Sequence, residues 1–139
     1  MTAKEITDQL ERIATVEDFA LHSAELTDGW VSAGAGVETV EPVLRFMEEH
    51  PSIEYGMPGS LVHFVERFYG KGYEDKLVES IRRKPTSSTV WMLNRVINGT
   101  KVADAKQLLV ATLEQAMVNP LADQNTVQRV SRFLERLSK

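Results

Sequence analysis

Two histidine–carboxylate pairs are the residues most able to do chemistry in this chain. His22 and Glu25 stand three positions apart, as do His63 and Glu66, and Asp18 lies one helical turn before His22. Pairs of this kind on separate helices of a bundle can hold a di-metal centre, where the usual order is Glu-x-x-His. Here the order is reversed. Such a centre also needs inward carboxylates from other helices, and no paired inward glutamate is evident. Surface or interhelix hydrogen bonding is the plainer role, so no metal ligand and no cofactor is expected. Glu38, Glu41, Glu48 and Glu49 could supply paired acids for hydrolysis, but their spacing is that of any solvated helix face. Gly70-Lys71-Gly72 has the look of a phosphate loop without the strand that must precede one, and reads better as a helix stop. Zinc-protease spacing and the dinucleotide glycine pattern are absent, and Ser23, Ser60 and Ser87 lack the context of a nucleophile elbow. The expectation is a protein with no catalytic residue, hence not an enzyme.

The elements that would carry these residues are helices. Pro51, Pro85 and Pro120 lie 34 and 35 residues apart, each after one amphipathic run and before another. Proline ends a helix and disfavours helical dihedrals in the residue before it. A helix–break–helix unit at this period is the mark of a helical repeat. Thr2 to Glu5 fits a cap ahead of a helix with Ile6, Leu10 and Ile13 on one face. A second helix starts over Thr15-Val16-Glu17-Asp18 with an acidic residue in its first turn, is broken at Asp28-Gly29-Trp30, and leads to a loop at Gly34-Ala35-Gly36. A third covers about 37–50, and 51–58 forms a turn-rich connector. The fourth runs to about Tyr69, and the fifth runs from Tyr73 to Lys84. The sixth is capped within Thr86-Ser87-Ser88 and carries Val90, Leu93 and Ile97 inward. The seventh turns Val102, Ala105, Leu109, Thr112, Ala116 and Met117 inward, and the eighth Val127, Val130, Leu134 and Leu137. Period-two alternation is absent. The fold class is therefore all-α, about eight helices as stacked antiparallel α-hairpins. It is a HEAT-like α-solenoid or an irregular helical bundle, in a single domain over residues 1–139.

Composition narrows the function classes. With 139 residues, 42% apolar and 26% charged, the chain suits a globular domain. It has no cysteine, no apolar run of membrane-spanning length and no basic-then-apolar leader at its start. A cytoplasmic protein is the simplest reading. The net charge of −4 hides an asymmetry. Residues 1–60 hold twelve acidic and three basic side chains, and residues 61–139 hold eight and thirteen. Either the helix faces merely drift in composition, or the acidic end attracts a basic partner. An acidic chain argues against nucleic-acid binding. Trp30 and Tyr55 fall in expected loops beside Asp28 and Glu54, where aromatics serve as half-buried staples or as interface anchors.

Three stretches, Gly56–Glu66 (Gly-Met-Pro-Gly-Ser-Leu-Val-His-Phe-Val-Glu), Leu77–Thr86 and Thr89–Arg95, resemble bacterial immunity proteins of polymorphic toxin and contact-dependent growth inhibition systems. The resemblance covers roughly residues 55–100, and His63, Glu66, Trp91, Asn94 and Arg95 match its structural pattern. It implies a small cytoplasmic protein, often acidic and helical, that binds one cognate toxin domain and blocks it. The toxin is often a nuclease, whose cleft must be basic to attract nucleic acid. Acidic side chains can take the place of phosphates there. The expected partner-binding residues are Asp28, Glu38, Glu41, Glu48 and Glu54, with Trp30 and Tyr55 as anchors. The expected partner is a protein, with no nucleic acid and no membrane, and the chain itself a monomer or dimer. The alternatives are a generic helical-repeat scaffold or adaptor, and a metal-binding helical protein.

Overall fold

Four helix starts in this chain, those of the first, second, sixth and eighth helices, are set by side-chain oxygens. In the computed structural model, which describes Met1–Lys139, Thr2 Oγ1 accepts the Glu5 amide and opens α1 (Ala3–Ile13). Asp18 Oδ1 accepts the Leu21 amide and opens α2 (Phe19–Ser32). A 3-10 turn at Val37–Thr39 leads into α3 (Val40–Glu49), followed by α4 (Ser60–Glu66) and α5 (Tyr73–Arg83). At α6 (Ser87–Gly99), Thr86 and Thr89 cap each other reciprocally. Then come α7 (Ala103–Met117) and α8 (Gln124–Leu137), the latter opened by Asp123, which accepts the Thr126 amide at 2.8 Å. The protein is all-helical, as its 3.6-residue periodicity predicts, and no helix is long and apolar enough to cross a membrane. Pro51, Pro85 and Pro120 each sit just beyond a helix end, at α3, α5 and α7, where a missing N–H costs no helical hydrogen bond.

Contacts divide the chain into two compact units, Met1–Lys76 and Leu77–Lys139, with the boundary inside α5. In the N-terminal unit α1 packs chiefly on α3, and α2 on α4. In the C-terminal unit α6, α7 and α8 pack mutually, and the end of α5 shares a groove with α7 through Ile81, Arg82, Thr112 and Ala116. In the N-terminal unit α1 and α2 thus each lie against the helix two places on, and in the C-terminal unit α6 does so against α8. A stack of hairpins produces this pattern, because successive layers bury each other's apolar stripes.

The N-terminal core is aromatic. Phe19, Phe46 and Tyr55 meet ring to ring, and Trp30 meets Phe64 edge-on at 5.2 Å. Ile6, Leu10, Val43, Leu44, Met47, Leu61 and Val65 fill the space between them. The C-terminal core is aliphatic: Leu77, Ile81, Val90, Met92, Leu93, Val96, Ile97, Leu113 and Val130, with Phe133.

The α2 boundary differs from the sequence expectation. Asp28-Gly29-Trp30 does not break the helix, which runs on to Ser32 and stops at Gly34 (φ 71°). A glycine inside a helix costs about 1 kcal/mol. Burying a tryptophan of roughly 200 Å² returns about 4–6 kcal/mol at ~25 cal/mol per Å². Trp30 can reach the core only if the helix continues through Gly29. Inside α7 the inward face also differs. Val102 and Ala105 are exposed, and the buried positions are Thr112, Leu113 and Ala116.

One turn is sterically fixed. A side chain at Gly59 would overlap the Tyr55 carbonyl, and Gly56 adopts a positive φ of 84°. These two glycines let the 50–59 connector fold back under Tyr55 and deliver the chain to α4.

Candidate partner-binding face

Acidic side chains of the N-terminal unit are almost all at the surface. Residues 1–76 hold fifteen acidic and six basic side chains, and only Glu48 among the acids is buried. Residues 77–139 hold five and ten, so the two units carry −9 and +5. The division of charge and the division of contacts coincide.

Asp28 lies exposed on α2 and helps line an open groove of about 390 Å³. Ala24, Thr27 and Val31 form the α2 wall, and Ser60, His63, Phe64 and Arg67 the opposite one. Phe64 is buried and carries the Arg67 guanidinium over its ring at 5.5 Å. That contact leaves the flexible cation beside the groove with its stem on apolar surface. The groove offers a carboxylate, an imidazole and a guanidinium to whatever fills it.

Glu38 is exposed in the 3-10 turn, and its Oε1 accepts the Gly36 amide at 2.8 Å. That hydrogen bond, and then its own amide, hold the carboxyl below the usual glutamate value, so it stays ionised. Glu41, half-exposed on α3, pairs with Arg45 at 3.5 Å one turn on. Glu54 is exposed in the connector after α3.

Three of the expected contact residues are placed otherwise. Trp30 is 1% exposed, inside α2, with its Nε1–H donating to Gln9 Oε1 at 2.6 Å. Tyr55 is also buried, stacks edge-on against Phe19 and Phe46, and donates its hydroxyl to the His50 carbonyl at 2.7 Å. Burial and then the Glu11 charge push its phenol up from the ordinary value. Both aromatics are core residues rather than surface anchors. Glu48 is buried because it falls one turn after Leu44 on the inward side of α3.

The histidine pairs stay apart from any gathering of ligands. His22 Nδ1 sits 3.9 Å from Glu25, and His63 lies in the groove wall. The third histidine, which has no acidic residue at helical spacing before it, is the one that meets carboxylates. His50 Nε2 lies 3.0 and 3.2 Å from the two oxygens of Glu11, and Glu49 completes a group whose ligand atoms all lie within 4.8 Å. Glu11 and His50 are 39 residues apart, so only the layering of α1 on α3 could have signalled the pairing.

In the C-terminal unit Met92 is buried, and Trp91 is half-buried under the Arg95 guanidinium at 5.2 Å. The end of α5 is held by Asn119, whose Nδ2 donates to the Arg82 carbonyl at 3.1 Å.

No protein-family model, curated protein or solved structure matches the chain.

Proposed function

We propose that this protein binds a basic protein partner through its acidic N-terminal unit, and that the partner is a toxin domain it holds inactive. The observation that carries the reading is the coincidence of the −9 charge with one packed unit, while the other carries +5. A compact acidic surface steers a basic partner and orients its approach. Its effect is greatest on association rate and selectivity, and salt weakens it. The immunity-protein resemblance of the sequence supplies the identity of the partner. A toxin that cleaves nucleic acid needs a basic cleft, and carboxylates can occupy the phosphate positions with charge-assisted hydrogen bonds.

The contact face centres on Asp28 at the α2–α4 groove, with Glu38, Glu41 and Glu54. Trp30, Tyr55 and Glu48 are buried and form no part of that face. The test is a combined Asp28→Lys, Glu38→Lys, Glu41→Lys variant, titrated calorimetrically against the toxin domain encoded by the adjacent gene. Affinity should fall at least about tenfold at low salt, and the remaining binding should depend less on ionic strength. Equal affinity at low salt would remove this face. Equal toxicity of the toxin with and without the wild-type protein would remove the reading itself.

A further inference from the structure

The imidazole sets the Glu11–Glu49–His50 group apart from the other acidic clusters of this unit. From it we propose a zinc site, distinct from the partner-binding face and independent of that reading. The three ligand atoms come from two elements. Glu11 is in the last turn of α1, Glu49 is the last residue of α3, and His50 is the residue that caps it. Nitrogen and carboxylate oxygen together suit Zn²⁺, which takes them at about 2.0–2.2 Å in a tetrahedron and leaves the fourth position to water. Tetrahedral ligands at those bond lengths stand roughly 3.3 Å apart. His50 Nε2 is already 3.0 Å from Glu11 Oε1, and the whole group lies within 4.8 Å. Glu49 is exposed, so rotation of its side chain closes the remaining gap without moving a helix.

The electrostatics favour a cation independently of the ligand spacing. A helix C-terminus carries about half a negative charge, and basic residues are the favoured occupants of the last turn. The C-terminal ends of α1 and α3 meet at this group, as the Glu11–His50 contact requires. Each end also places a glutamate where the dipole disfavours it. α1 offsets this with Arg12, and α3 has no basic residue in its last turn. Two carboxylates, two helix ends and a unit of net charge −9 therefore face one imidazole.

The imidazole is held for the role. Its ring lies against Phe46 at 4.5 Å, and Tyr55 fixes its carbonyl. To bind, the imidazole takes the neutral form with its proton on Nδ1 and turns the Nε2 lone pair from Glu11 to the ion, while Glu11 and Glu49 each give one oxygen.

The experiment is calorimetric titration of the chelator-treated full chain with zinc chloride, paired with thermal unfolding. The wild type should take up one Zn²⁺ per chain and unfold at a higher temperature with excess zinc. His50→Ala and Glu49→Gln should each weaken uptake at least about tenfold. The His22→Ala, His63→Ala double variant should bind as the wild type does. Glu49 is exposed, so Glu49→Gln answers the question even if His50→Ala unfolds. No uptake by the wild type overturns the site. So does uptake that survives Glu49→Gln, uptake lost in the double variant, or calcium or magnesium binding in place of zinc.

Discussion

Both units are built of packed helices, and they differ in what fills and what covers them. The N-terminal unit holds eight of the ten aromatic side chains, buries Trp30, Phe46, Tyr55, Phe64 and Tyr73 in its core, and carries a surface rich in carboxylates. The C-terminal unit holds only Trp91 and Phe133 of those aromatics. It packs aliphatic side chains and leaves Val102, Leu108, Val118 and Leu121 more than half exposed. Its surface charge is positive. The comparison teaches that helical stacking constrains the inward stripe alone. Core chemistry and surface charge vary freely on one architecture, so function must be sought in the covering and not in the scaffold.

The largest effect should come from the aromatic core. Trp30→Ala removes a buried ring and leaves Gln9 Oε1 without its donor, and should cost about 3–5 kcal/mol by chemical denaturation. Leu93→Ala, its fully buried aliphatic counterpart, should cost about 2–5 kcal/mol. If Trp30→Ala costs less than Leu93→Ala, the aromatic cluster is not what holds the N-terminal unit.

Helix caps come next, one from each unit. Asp18→Ala and Asp123→Ala should each cost about 1 kcal/mol at neutral pH. The Asp123 carboxyl is held below its ordinary value, above all by the Thr126 amide it accepts. Its folded value is therefore the lower one. The stabilisation is complete above the unfolded value of about 4 and is lost as pH falls through the folded one. Urea midpoints of wild type and Asp123→Ala should accordingly differ at pH 7 and converge in strong acid. A gap that widened on acidification would contradict the assignment.

The smallest effect is a gain. Gly29 is helical, has no left-handed backbone angle, and a methyl group there would meet nothing within 4 Å. Gly29→Ala should stabilise the protein by up to about 1 kcal/mol. A loss would mean that the Trp30 end of α2 needs glycine for a reason other than space.

Much of the fold was legible in the sequence, for reasons these residues make plain. The repeated prolines fall in connectors, and Ile6/Leu10, Leu77/Ile81 and Leu93/Ile97 are buried as their spacing of four predicts. Thr2 and Thr86 cap the helices they precede, while the second start, expected over residues 15–18, falls at its last residue, Asp18, which is the cap. Gly29 signals a break locally, because its helical cost is visible in the sequence and the tertiary gain from burying Trp30 is not. The candidate face was less legible. Asp28, Glu38 and Glu54 are exposed as expected, but Trp30 and Tyr55 moved inside once α2 lengthened and the connector folded back. The spacing of Glu48, four residues after Leu44, carries the sign of its burial on the inward stripe of α3. Nothing local could have brought Glu11 to His50.

The reciprocal cap at Thr86 and Thr89 has a consequence for how the molecule breathes. The first amides of a helix ordinarily trade their protons with water soonest, because they have no partner within it. Here both threonines are buried, and each amide donates to the other's hydroxyl at 3.1 Å. Deuterium should enter this helix start late, making it a quiet spot where fraying is the rule.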